Sequence, residues 1–323
     1  MIARLFASAA LLLSLSATAA QADTVKFTFA TTNGPKDFSS QAIVRWQQAM
    51  KERSGGELDM TFISGGALGG DQELLQQLAT NEIQLHVAGP VIVHKLLKQY
   101  QCMEAEFVYR DEDHGYRVWT GALGDEVNEA LEDQYGITMV GVGLRGARQL
   151  TANKAINSPA DLAGVKVRVT NPLRSQVFEA LGALPAPLSI SELYGALRQG
   201  VFDAQENPIP TIWGNKFYEV QDHVNLTSHV ISYYIVSANK GFVEGLSAEH
   251  RKVFDETLGE AMGWLNQKVR DDTASLLKTM QDGGLSVIKP DVTAFQQIAA
   301  PVVEAYAAEN CRPGLLEDIR KIQ

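Results

Sequence analysis

With 38 acidic against 28 basic side chains, this chain of 323 residues carries a formal charge of −10 at neutral pH, a balance that disfavours nucleic acid and anionic membrane surfaces as partners. Hydrophobic residues make up 45% of it, enough to bury one large core or two modest ones. Only two cysteines occur, with no CxxC pair and no His-rich spacing, which argues against a zinc site, and no cofactor is expected.

Residues 1–22 read as a cleavable export signal. Arg4 gives the positive start, Leu5 to Leu15 is mostly apolar, and Ala20-Gln21-Ala22 is a small-x-small cleavage site. The apolar core is too short to remain as a membrane span, no Cys follows the cleavage site to carry lipid, and no later stretch reaches about eighteen uncharged apolar residues. A soluble exported chain is expected. Cutting off Arg4, with no acid in the leader, moves the charge from −10 to −11, so recognition of an anion would need a local cation cluster inside a cleft; a screening length of ~8 Å confines the opposing surface field. In an oxidising compartment Cys102 and Cys311 either bridge, contributing roughly 5 kcal/mol in the chain-entropy model, or stay as two buried thiols.

Val25 to Ala30 alternates as a first strand, and a helix follows with Asp37 or Ser39 as its cap and Phe38, Ala42, Trp46 and Met50 on one face. Leu58 to Ile63 is a second strand. The glycine-rich run Ser64 to Gly70 then leads into a helix at Asp71; it lacks the GxxxxGK[ST] arrangement of a phosphate loop, and Asp71 itself would occupy the helix N-terminus as cap. Ile83 to Ala88 is a third strand, with His86 read as a satisfied core residue. Gln101 to His114 reads as loop whose acidic end starts a helix, Tyr116 to Tyr135 as one amphipathic helix, and Ile137 to Gly143 as a buried strand. From Ser247 to about Met280 the apolar spacing, with no interior proline, predicts one long helix that Gly283-Gly284 ends. A strand at Leu285 to Ile288 and two final helices follow.

The run Gly164-Val165-Lys166-Val167-Arg168-Val169-Thr170-Asn171 organises this reading. Its alternation is that of a strand, in a chain whose other elements suggest a parallel sheet covered on both sides. Arg168, near the carboxyl end of that strand, would project toward the crevice where open α/β sheets hold ligands, with a donor fork matched to a carboxylate. That carboxylate belongs either to a ligand or to an internal Asp or Glu. Glu206 is read as forming an internal salt bridge. Trp213 and Tyr233 are expected either to wall a pocket or to be core.

Three ordered runs, Gly146 to Thr151, Asp161 to Val169 and Ser191 to Pro208, together with Phe217 to Gln221 and Thr227-Ser228-His229, resemble the periplasmic solute-binding subunits of tripartite ATP-independent periplasmic (TRAP) transporters, the DctP family. The resemblance implies an α/β, two-lobed periplasmic-binding-protein fold with chain crossings between lobes and a long C-terminal helix spanning both. It places lobe I at residues 23–145 plus about 233–272 and lobe II at 146–232 plus about 273–323. Arg168 matches the family's carboxylate clamp, Arg148 its second arginine, Asn171 and Asn207 pocket amides, and Asp71 an acid that ends the glycine loop and lines the cleft. Gly89 stands where sialic acid members carry an acid, which argues against sialic acid and, with the aromatics, favours a compact or partly apolar monocarboxylate, with sugar acids and dicarboxylates left open. The implied partners are a small organic acid and the small and large integral membrane subunits, the implied address the periplasm. The rivals are an exported small-acid enzyme, for which no nucleophile–base set or catalytic carboxylate pair is found, and a receptor of the same fold serving a sensor kinase.

Overall fold

The computed structural model describes residues 24–323; the expected export signal over 1–22 lies outside them. The chain begins β1 (Val25–Ala30), α1 (Phe38–Arg53), β2 (Leu58–Ile63), α2 (Asp71–Ala79), β3 (Leu85–Ala88) and a short α3 (Val91–Lys95). A 3-10 segment, Lys98–Glu104, precedes α4 (Glu112–Thr120), α5 (Ala122–Tyr135) and the long strand β4 (Ile137–Ala152). Next come β5 (Lys166–Val169), α6 (Pro172–Ala180), β6 (Leu184–Pro187), α7 (Ile190–Arg198), β7 (Ala204–Pro208), α8 (Ile209–Gly214), β8 (His223–Asn225) and β9 (Ile231–Asn239). The last part holds α9 (Lys240–Glu244), α10 (Ala248–Asp282), β10 (Ser286–Ile288), α11 (Val292–Asn310) and α12 (Leu315–Lys321).

Local chemistry accounts for most of these elements. The Asp37 carboxylate accepts the Ser39 amide and caps α1, whose Phe38, Ala42, Trp46 and Met50 are all buried. Ser247 caps α10 by accepting the His250 amide, and Gly283 ends it. Asp71 is not a cap: Gly70 holds the N-cap position of α2 and Asp71 is its first residue, which frees the carboxylate from the backbone. The single helix expected from Tyr116 to Tyr135 is two, parted at an extended Gly121; Gly124 packs so closely on the Trp119 carbonyl that a Cβ there would lie 2.0 Å from the oxygen. The expected loop at Gln101 to His114 begins in the 3-10 segment, and its acidic end does start a helix, with Asp111 capping α4.

The sheet runs β2-β1-β3-β9-β4-β7-β5-β6, with β8 on β4 and β10 on β8. It is mixed, not all parallel. β1 pairs in parallel with β2 and β3, and β5 with β6 and β7, whereas β4 and β9 run antiparallel to every strand they meet. β4 lies along β9 through Ala147 and then along β7 and β8 from Arg148 onward, so one strand crosses from the first half of the sheet to the second. Two lobes result, joined by that strand. α10 packs on α1 through Trp46, which donates to Thr257 at 2.9 Å, then along β4, where Leu258, Met262 and Leu265 fill the space beside Gly141 and Gly143. Its far end, with Leu276, Leu277 and Met280, joins the core under α7 and α8. Cys102 and Cys311 are bridged, tying the 3-10 segment to the end of α11. None of the described helices is long and apolar enough to cross a membrane.

Candidate functional site

The carboxyl ends of β1, β3, β5 and β7 converge between the lobes, where α/β sheets hold their ligands. A small cavity, partly continuous with solvent, opens there. Thr32, Asn33, Asp71, Gly89 and His94 line it from one lobe; Arg168, Thr170, Ile190 and Asn207 line it from the other. Arg145 and Arg148 enter from the crossing strand.

Arg168 sits on β5 with its valine neighbours fully buried. It is itself only 5% exposed, and its Nε and Nη2 donate to the Leu188 carbonyl at 2.8 and 2.6 Å. No carboxylate oxygen of the described residues lies within salt-bridge distance of it. Burial lowers its pKa to about 10, with Glu206 acting against that shift and Arg148 adding to it, so it is cationic at neutral pH. Nη1 and the outer hydrogen of Nη2 remain for an end-on pair with a carboxylate.

Arg148 differs. Its Nε donates to Glu206 Oε2 and its Nη2 to Glu206 Oε1 at 2.9 Å and to the Glu206 carbonyl at 2.6 Å. Glu206 therefore forms the internal ion pair expected of it, with Arg148 and, at 3.5 Å, Arg174. Burial alone would raise the Glu206 pKa, but the two guanidinium groups hold it well below the usual carboxylate range. Arg148 keeps one link to the pocket, a 3.2 Å bond from Nη2 to Asn207 Oδ1. Asn207 in turn donates to Gln205 Oε1 at 2.6 Å, so its amide is fixed.

Arg145, which the sequence reading passed over, is the second buried guanidinium in the cavity with no carboxylate of the described residues in reach. It donates to Asn207 Oδ1 at 3.2 Å and to Thr211 Oγ1 at 3.3 Å, and lies 5.3 Å over the Tyr234 ring. Three residues apart, Arg145 and Arg148 should face opposite sides of a strand. An irregularity in the β4–β9 register between Leu144 and Gly146, with Gly146 at φ +99°, brings both to the cavity. Gly89 makes room: a Cβ there would come within 2.7 Å of Arg145 Nη1.

On the opposite wall Asp71 Oδ1 accepts the Thr32 hydroxyl at 2.7 Å, and its side chain stays 20% exposed. His86 Nδ1 donates to the Ala30 carbonyl at 2.9 Å, leaving Nε2 bare, buried and 4.0 Å from Asp71 Oδ1. Half of its hydrogen bonding is thus satisfied. His94 is held neutral, its pKa lowered to about 4 by burial against the pull of Glu104; its bare Nε2 accepts from Asn171 Nδ2 at 3.3 Å.

Of the residues expected at the site, Arg168, Arg148, Asn207 and Asp71 meet at the cavity. Asn171, Trp213 and Tyr233 do not line it. Asn171 caps α6, accepting the Arg174 amide at 2.8 Å, and holds His94 from behind. Trp213 stacks on Tyr218 in the smaller core, ring centroids 4.9 Å apart. Tyr233 points away and donates to the Glu112 carbonyl, because strand alternation turns its neighbour Tyr234 toward Arg145 instead. The apolar part of the lining comes instead from Ala88, Pro90, Val91 and Ile190.

The sequence model of the bacterial extracellular solute-binding proteins, family 7 (DctP), matches residues 29–310. The chain belongs to this family. Its members are receptors, which makes this protein a solute-binding receptor and not an enzyme. It is 29% identical to the 2,3-diketo-L-gulonate-binding periplasmic protein YiaO of Escherichia coli (strain K12), over 97% of this chain and 96% of that one. It is 27% identical to the sialic acid-binding periplasmic protein SiaP of Vibrio cholerae, over 94% and 95%. A TRAP periplasmic solute-binding protein from Polaromonas sp. JS666 bound to D-erythronate superposes with a TM-score of 0.86 at 25% identity, covering 93% of this receptor and 99% of that chain.

Proposed function

We propose that this receptor works in the periplasm for a TRAP transporter: it closes on a small organic acid through Arg168 and delivers it to a small and a large integral membrane subunit. The observation that carries the reading is the state of Arg168. A guanidinium almost wholly removed from water, cationic, and matched only by a backbone carbonyl is short of an anion, and it borders a space between the lobes that is open to solvent. Arg145 adds a second positive contact, a role expected of Arg148, which instead spends most of its donors on Glu206. Asn207, fixed between the two arginines and Gln205, sets the electrostatic floor. Closure excludes water and strengthens these bonds, and binding energy goes into shifting the open–closed population. The relatives' names and bound ligands, among them 2,3-diketo-L-gulonate and D-erythronate, support the acid class.

A thermal-shift screen over organic acids identifies a ligand, since a thousandfold excess over Kd adds about 4 kcal/mol to the folded state. Calorimetry on that acid then tests the clamp. Arg168→Ala should weaken binding by about 3–5 kcal/mol, because it leaves a buried carboxylate unpaired, and Arg168→Lys should also lose most affinity, since an ammonium cannot reproduce the fork. An unchanged Kd in either variant refutes the role given to Arg168.

A further inference from the structure

Asp37 is fully buried at the N-cap of α1 and does not line the cavity. Two hydrogen-bond chains nevertheless start at the cavity wall and end on its Oδ1. In the first, Arg145 Nε donates to Thr211 Oγ1 at 3.3 Å, Thr211 Oγ1 lies 3.3 Å from the Tyr234 hydroxyl oxygen, and that hydroxyl donates to Asp37 Oδ1 at 2.7 Å. In the second, Asn33 Nδ2 donates to Ser39 Oγ at 3.0 Å, and Ser39 Oγ donates to Asp37 Oδ1 at 2.6 Å. Arg145 and Asn33 line the cavity, whereas Thr211, Tyr234 and Ser39 stand behind it, wholly buried. Packing brings the two elements together: a Cβ on Gly214 of α8 would lie 2.7 Å from Asp37 Cα, so the helix that carries Thr211 is pressed against the start of α1.

The ends of the chains fix every proton between them. A guanidinium only donates and a carboxylate only accepts. Tyr234 spends its one hydrogen on Asp37, so the Thr211 hydroxyl donates to the Tyr234 oxygen and turns lone pairs to Arg145 Nε. Ser39 likewise spends its hydrogen on Asp37 and can only accept. Asn33 must therefore turn Nδ2 toward it, because the reversed amide would set two acceptors against each other in a buried place. Bonds aligned in one sense polarise one another and strengthen the chain. We propose that Asp37 is a positioning residue of the ligand site: through Tyr234 and Thr211 it holds the Arg145 guanidinium with Nη1 left for the incoming acid, and through Ser39 it fixes the Asn33 amide with one N–H left over. The site is thus set before the acid arrives, and binding does not have to order it. The inference rests on the reading of this cavity, with Arg168, as the place where the acid is held.

The test is a pair of double-mutant cycles by calorimetry. The probe is whichever of acetate, lactate, pyruvate, succinate and D-erythronate the wild-type protein binds most tightly. Tyr234→Phe keeps the ring under Arg145 and removes the hydroxyl, and Ser39→Ala removes the other relay; each should weaken binding about three- to tenfold. Arg145→Lys keeps a cation but has no Nε–H for Thr211, so adding Tyr234→Phe to it should cost nothing further; adding Ser39→Ala to Asn33→Ala should likewise cost nothing. A merely structural loss would be the same in both backgrounds. Asp37→Ser keeps a capping hydroxyl for α1 but withdraws the shared oxygen, and should combine the two losses. Unchanged affinity in Tyr234→Phe or Ser39→Ala, or full additivity in its cycle, overturns the chain that variant tests. Arg168→Ala separates the two readings: wild-type affinity in that variant refutes the clamp and leaves both cycles to be read, whereas a wild-type protein that binds none of the five acids overturns both.

Discussion

Arg148 and Arg168 are the same side chain in the same cleft, and their partners give them opposite roles. Arg148 is locked to Glu206 with both oxygens engaged, and Arg174 and His229 complete the cluster at 3.5 and 3.2 Å from Glu206 Oε2. Arg148→Ala should therefore act first on stability: an unpaired buried Glu206 costs about 3–5 kcal/mol, read as a fall in the urea midpoint of the ligand-free protein. Arg168→Ala removes a cation that has no anion of its own and should leave the ligand-free midpoint much less changed. Equal losses in the two variants would contradict this division. Gly89 gives a smaller version of the same contrast. Gly89→Ala puts a methyl within 2.7 Å of the place now held by Arg145 Nη1, and the guanidinium must swing off Asn207. Weaker acid binding with near-normal stability is expected, since only the far end of a long side chain has to move.

At the scale of elements, the crossing strand β4 and the long helix α10 form one unit. Gly141 and Gly143 leave the strand's surface open to the helix, and a Cβ at 143 would meet Leu265 Cδ2 at 2.7 Å and Met262 Sδ at 3.2 Å. Gly143→Val should overpack that contact and cost about 1–3 kcal/mol, measurable by chemical denaturation. The lobes also touch across the mouth of the cleft: a Cβ on Gly66 of the glycine-rich run would lie 3.1 Å from Ser191 Cβ, and one on Gly70 3.4 Å from Ser189 Oγ. That run thus serves closure and the placing of Asp71, with no phosphate to hold. Its glycines at positions 65, 66 and 69 have positive φ, which permits the tight path between β2 and α2.

Across the whole molecule, stability should respond to acid through histidines. Burial lowers the pKa of His86, of His94 to about 4, and of His229. In the unfolded chain they titrate near 6.5, so as the pH falls from about 6.5 to 4 the unfolded state takes up more protons and the fold loses stability. His94 alone accounts for roughly 3 kcal/mol of that loss. A melting temperature that drops steadily from pH 7 to 4, with a shallower slope in His94→Gln, is the expected result; a profile flat down to pH 5 would contradict it. The Cys102–Cys311 bridge closes a separation of 209 residues. Its removal should lower stability by roughly 5 kcal/mol in the chain-entropy model, measured as the shift in urea midpoint of the double Ser variant.

The sequence by itself determined the local elements and the place of Arg168 on β5. Apolar spacing and capping residues marked α1, β5 and α10, because helices and strands read their periodicity from near neighbours. Arg168 was legible for the same reason, as a cation alternating with valines at the end of a strand. The tertiary structure alone decided how the cations divide. Whether a guanidinium is free or consumed depends on groups far away in the chain: Glu206 lies 58 residues from Arg148, and a strand irregularity at Gly146 turns Arg145 inward against the usual alternation. Tyr233 and Tyr234 show the limit most simply. Both were visible as aromatics near the site, but which of two adjacent side chains faces the ligand is a question of strand register, and register is fixed by the partner strand rather than by the residues themselves.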